Sequence, residues 1–146
     1  MFMRINSIRY NNSVVDGPGI RTVLFMQGCD IHCKGCQNSS TWDIEKGKKV
    51  DIDELVNELK KKVFNKKITI SGGEPLMQKE ALIELVTKLN DLGFDIALYT
   101  GHQKEDVPSI LLDKVKYLKT GNFIQELKTT VKPFVGSENQ VFEVAK

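Results

Sequence analysis

Short apolar runs alternate along the chain with stretches whose apolar residues recur every three or four positions, a pattern that predicts strands and helices in turn. Residues 21–27 (Arg-Thr-Val-Leu-Phe-Met-Gln) are β-branched and apolar and predict a buried strand. Residues 51–63 predict a helix that Asp51 or Asp53 can cap, with Ile52, Leu55, Val56, Leu59 and Val63 at helical spacing. A second strand is expected at 67–71. A longer helix follows at 76–92, with Leu82, Leu85, Val86, Leu89 and Leu92 on one face and Gly93 as its C-terminal cap. Strands at 94–99 and 115–118, a short helix around 107–112 and a last strand at 140–144 complete the reading. No internal repeat, low-complexity tract or linker interrupts it.

Strands and helices in alternation imply βαβ units with right-handed crossovers, and so an α/β fold with a mainly parallel sheet. About four to six such units are too few to close a ring, so an incomplete (β/α) barrel is expected, as one domain over residues 1–146. Functional residues in such sheets gather at the carboxyl ends of the strands. Three distinctive segments fall there: a cysteine loop after the first strand, Ser71-Gly-Gly-Glu-Pro75 after the second and Tyr99-Thr-Gly-His102 after the third. All three should share one rim.

Composition changes this picture little. The chain has 146 residues, 40% of them hydrophobic and 27% charged, which suits one ordinary core. A formal net charge of +2 gives no reason to expect nucleic acid. The Lys-rich pieces at 46–49 and 60–67 read as solvated helix ends. The N-terminus lacks the apolar run of a signal peptide, and no stretch approaches the roughly 20 apolar residues that span a bilayer. A soluble, cytoplasmic protein is expected.

Cys29, Cys33 and Cys36 are the only cysteines and lie within eight residues. Three thiolates at this spacing can hold three corners of a 4Fe–4S cube and leave one iron open, where a substrate or cofactor can bind. A zinc site of the three cysteines with His32 is the competing reading, although His32 is adjacent to Cys33 and poorly placed for the same metal. A disulfide would leave one thiol over. In Ser71-Gly-Gly-Glu-Pro75, the glycines permit close backbone approach and should leave amides free to donate. Glu74 is an anion able to accept from an ammonium group, and Pro75 starts a helix. A plain β-to-α turn would have the same composition. His32 and His102 read as surface or hydrogen-bonding residues, and Trp42 as packing behind the cysteine loop.

The cysteine spacing resembles the signature loop of the radical S-adenosylmethionine (SAM) superfamily, and the fold so implied is an incomplete barrel of the radical SAM type. The resemblance implies one 4Fe–4S cluster on Cys29, Cys33 and Cys36, with SAM on the open iron and no catalytic residue beyond these ligands. It also implies Gly35, Cys36, Gln37, Gly72, Gly73 and Glu74 as cofactor contacts, Glu74 through the methionyl amine. The segment Val15-Asp-Gly-Pro-Gly-Ile-Arg-Thr-Val-Leu-Phe-Met-Gln-Gly-Cys29, with Gln37-Asn38 and Thr41-Trp42, is similar to the N-terminal part of glycyl-radical-enzyme activases. The likeness thins to Tyr99-Thr-Gly101, to Tyr117-Leu-Lys-Thr-Gly-Asn-Phe-Ile-Gln-Glu126 and to Gly136-Ser-Glu-Asn-Gln140.

Gly35 stands where the superfamily usually carries an aromatic residue near adenine, and the resemblance implies the backbone of Gly35 and Gln37 as the replacement contact. With the later segments, it brings the chain nearest to the activases of anaerobic ribonucleoside-triphosphate reductase. The resemblance therefore implies a radical SAM oxidoreductase whose protein substrate is that reductase, with flavodoxin or ferredoxin as electron donor and no nucleic-acid or membrane partner. Three alternatives stay open: an activase of another glycyl radical enzyme such as pyruvate formate-lyase, a small metabolite enzyme like the carboxydeazaguanine synthases, and a non-enzymatic iron–sulfur or zinc module.

Overall fold

In the computed structural model, which describes residues 1–29, 31 and 42–145, seven strands among the described residues form one sheet. The strands are β1 (Phe2–Ser13), β2 (Arg21–Met26), β3 (Lys48–Asp51), β4 (Lys67–Gly72), β5 (Asp95–Tyr99), β6 (Tyr117–Thr120) and β7 (Val141–Val144), in the order β3-β1-β2-β4-β5-β6-β7. The four central strands, β2, β4, β5 and β6, run parallel. Antiparallel strands flank them, β1 with β3 on one side and β7 on the other. This is the expected incomplete α/β barrel, with four parallel strands but three crossover helices among the described residues, one unit short of the expected four to six. A 3-10 turn (Gln125–Leu127) and β7 follow β6 in place of a fourth crossover helix.

The connections are α1 (Ile52–Lys62), α2 (Lys79–Asp91) and a single turn, α3 (Ser109–Leu112). Asp51 is the cap of α1: its carboxylate accepts from the Glu54 amide at 3.1 Å. Residues 75–78 wind as a 3-10 helix before α2 begins, because Pro75 fixes the first turn and has no amide to donate. Strand alternation sends Leu24, Met26, Ile68, Ile70, Ile96, Leu98 and Leu118 to one face of the sheet. There they join Leu55, Leu59, Leu82, Leu85 and Leu89 of the helices in a single core.

Two strands depart from the sequence reading. β1 carries Asn6, Ser7, Arg9, Asn11 and Asn12, residues poor in strand propensity, yet it pairs along both edges. Lys48 and Lys49 are not a helix end; they lie on edge strand β3, where lysines discourage further strand pairing. Lys60 to Lys62 do end a helix, as expected. No helix among the described residues is long and apolar enough to cross a membrane.

Candidate functional site at the carboxyl rim

β2 ends at Met26, and the next residues carry the chain over the rim. Gln27 is 1% exposed; its carboxamide accepts from Asn6 Nδ2 at 3.0 Å and donates to the Asp43 carbonyl at 2.7 Å. Gln78 Nε2 donates to the carbonyls of Gln27 and Arg4. Gly28 turns the chain with φ 99°, a left-handed conformation that suits glycine. The Cys29 amide then donates to the Trp42 carbonyl at 3.0 Å, so the chain departs and returns at one point of the rim. Cys29 is buried and lines the cavity described below. Gly35, Cys33, Cys36 and Gln37, with His32, lie outside the described residues.

Ser71-Gly-Gly-Glu-Pro75 sits beside Cys29, as expected, but its glycines work differently. Gly72 has φ 113°, and a Cβ there would lie 2.3 Å from the Met26 nitrogen. Its lack of a side chain serves close approach to the neighbouring strand rather than to a ligand. Nor are the following amides free: Gly73 donates to the Met26 carbonyl at 3.0 Å and Glu74 to the Gly28 carbonyl at 2.7 Å. The expectation of amides left to donate is corrected for these two residues.

Glu74 is 1% exposed, and its carboxylate joins three segments. Oε2 accepts from the Leu76 amide at 2.9 Å and from Thr100 Oγ1 at 2.7 Å, while Oε1 accepts from the Gly101 amide at 2.7 Å. A carboxylate offers about four acceptor sites, so one remains on Oε1. The sequence motif marks Glu74 as an anion able to accept from an ammonium group. Its role as a brace between the ends of β4 and β5 carries no sequence signal.

These residues border a cavity of about 550 Å³. Cys29, Gly73 and Glu74 form one side, and Asp16, Tyr99 and Lys119 are also in its lining. Asp16 belongs to the glycine-rich turn that precedes β2. The turn is held by Arg21, a side chain 0% exposed, which donates to the Pro18 carbonyl, Thr69 Oγ1, the Ile68 carbonyl and both the carbonyl and carboxylate of Asp95. Thr69 Oγ1 in turn donates to the Asp16 carbonyl at 2.5 Å.

Tyr99, at the end of β5, opens the third of the segments expected at this rim and lies in the cavity lining. It is 6% exposed, its hydroxyl is buried, and that hydroxyl has no hydrogen-bond partner among the described residues. Burial pushes its pKa far up, the Asp16 charge adds to the shift and Arg21 opposes it. Lys119 Nζ lies 4.7 Å from the ring centroid, and Phe142 meets the ring edge-on at 6.2 Å. His102 is not in the cavity lining; its Nδ1 lies 3.9 Å from Asp106 Oδ2.

Residues 15–143 match the family described as 4Fe-4S single cluster domain. The anaerobic ribonucleoside-triphosphate reductase-activating protein of Escherichia coli (strain K12) is 33% identical over 143 residues, covering 90% of this chain and 93% of that protein. Its counterpart in Vibrio cholerae (serotype O1) is 34% identical over 143 residues, with 90% and 92% covered. The pyruvate formate-lyase-activating enzyme of Clostridium pasteurianum is 41% identical over 102 residues, but the match takes in 66% of this chain and 42% of that one. The crystal structure of QueE from Escherichia coli superimposes with a TM-score of 0.60 at 18% identity, over 79% of this chain and 68% of that one, a likeness of fold alone.

Proposed function

From the premise that this chain belongs to the family of anaerobic ribonucleoside-triphosphate reductase-activating proteins, within the 4Fe-4S single cluster domain family, we propose that it installs a glycyl radical on that reductase. The observation that carries the reading is the match across nearly the whole chain, joined to a cavity that has Cys29 and Glu74 on the same rim. A partner with the chemistry of pyruvate formate-lyase is less favoured, since the match to its activating enzyme leaves more than half of that protein uncovered.

The donor set fits a cluster: Cys29 lines the cavity, and Cys33 and Cys36 follow it in the sequence at a spacing that suits three corners of a 4Fe–4S cube. Cys29, Cys33 and Cys36 would hold one 4Fe–4S cluster, which when bound would supply the electron for reductive cleavage of the SAM sulfonium to methionine and a 5′-deoxyadenosyl radical. Glu74 directs its remaining acceptor site on Oε1 to the methionyl ammonium. Gly35, Cys36 and Gln37 would be SAM contacts, with the backbone of Gly35 and Gln37 toward the adenine, while Gly72 and Gly73 set the position of Glu74. The concave cavity admits the partner's glycine segment, and enclosure there limits the radical to the C–H bond it is brought against. An acidic carrier such as flavodoxin or ferredoxin provides the electron.

The test is anaerobic iron–sulfur reconstitution followed by reduction with SAM and the reductase, read by electron paramagnetic resonance. A glycyl radical on the reductase should appear only with SAM and reductant together, and Cys29→Ala, Cys33→Ala or Cys36→Ala should each abolish it. Formation of 5′-deoxyadenosine with no radical ever found on the reductase would overturn the assignment of partner.

A further inference from the structure

Tyr99 has the least explained polar atom in the cavity wall. Buried hydroxyls in folded proteins almost always have a partner, and one left without costs stability. The Tyr99 hydroxyl has none among the described residues, although the side chain is 94% buried by its 6% exposure and borders the cavity. Such a group persists when a bound state supplies the missing bond.

Its surroundings indicate what that bond is. Cys29 follows β2, two strands away in the sheet, whereas the ring of Tyr99 meets Lys119 of β6 and Phe142 of β7. It therefore serves the half of the cavity away from the cysteine. The charges nearby have both signs: the Asp16 carboxylate acts on the Tyr99 hydroxyl, and the Lys119 ammonium stands over its ring. A peptide group carries one donor and one acceptor and matches a wall of this kind better than a purely anionic or cationic ligand does. The lining includes Val14 and Val15, which are 65% and 69% exposed and so available to an incoming apolar chain. Because burial raises its pKa, the hydroxyl remains a donor across the neutral range.

We infer that Tyr99 is a binding residue for the partner protein, its hydroxyl donating to a main-chain carbonyl oxygen of the segment that bears the acceptor glycine. The inference rests on the function proposed above. The flexible side chain of Lys119 lies over the ring face and moves aside as the segment enters, its ammonium turning to the same strand of partner backbone.

Tyr99→Phe isolates the hydroxyl, since the ring keeps its contacts with Lys119 and Phe142. The free variant should melt no lower than the wild type, because it loses an unpaired buried hydroxyl. Affinity for the intact reductase, measured by titration, should fall about three- to tenfold, the equivalent of one neutral hydrogen bond. Affinity for SAM, measured by equilibrium dialysis on the reconstituted protein, should be unchanged, and fewer SAM cleavages should end in a radical on the reductase. Unaltered reductase affinity and unaltered coupling would overturn the inference. So would weakened SAM binding with coupling retained, which would assign the hydroxyl to SAM. A wild-type protein that never places a radical on the reductase would remove the underlying function as well, whereas a normal wild type with an indistinguishable variant removes only the role of Tyr99.

Discussion

Glu74 is held by its own fold, and under the proposed function it also meets an incoming ammonium. Three internal hydrogen bonds make it a structural member, in contrast to a side chain that waits for ligand alone. Truncation to alanine leaves the amides of Leu76 and Gly101 and the hydroxyl of Thr100 without their acceptor. At 1–3 kcal/mol for a typical unsatisfied group, relieved in part by water entering from the cavity, Glu74→Ala should lose about 3 kcal/mol of stability. Chemical denaturation of the cluster-free protein measures this directly. Unchanged stability would mean that the carboxylate is held for ligand only. Glu74→Gln keeps the shape but replaces one acceptor by a donor, so it should retain more stability than the alanine variant while losing affinity for a cationic group.

At the scale of elements, the C-terminus of α2 shows how a sequence signal becomes a fixed structure. Gly93 has φ 84°; its amide donates to the Asn90 carbonyl at 3.0 Å, and Phe94 reaches back to Leu89 at 3.1 Å. No atom lies within 4 Å of where a Cβ would stand, so Gly93→Ala tests conformation rather than space. It should cost about 1 kcal/mol, seen as a lower urea midpoint with an unchanged slope. This cap, the Asp51 cap and the central strands were legible because local chemistry and apolar spacing specify them. β1 was not, since Asn6, Ser7, Arg9, Asn11 and Asn12 hide its alternation and its place depends on partners across the sheet. At the rim, Cys29 and Gly72-Gly73-Glu74 were legible as parts of motifs. The contacts that Gly72, Gly73 and Glu74 make with β2 and β5 were not, because strand-to-strand distances leave no local pattern. The role of the Tyr99 hydroxyl escaped for the same reason: an unpartnered hydroxyl exists only in three dimensions.

Across the whole molecule, Arg21 joins the glycine-rich turn, β2, β4 and β5 through one planar guanidinium. Lysine offers a single ammonium and cannot span those acceptors, so Arg21→Lys should destabilise the chain by about 3 kcal/mol and loosen the turn that carries Asp16. Thermal melting checks the first effect, and amide hydrogen exchange at residues 14–19 the second; a variant as stable and as protected as the wild type would contradict it. The hydrogen bond from Cys29 to Trp42 has a different kind of consequence. The ends of the intervening stretch are brought together by backbone, Gln27 and Gln78, none of which needs iron. Oxidative damage to a cluster carried there would be a local injury, and repair would mean reloading iron and sulfide into a frame that had never come apart.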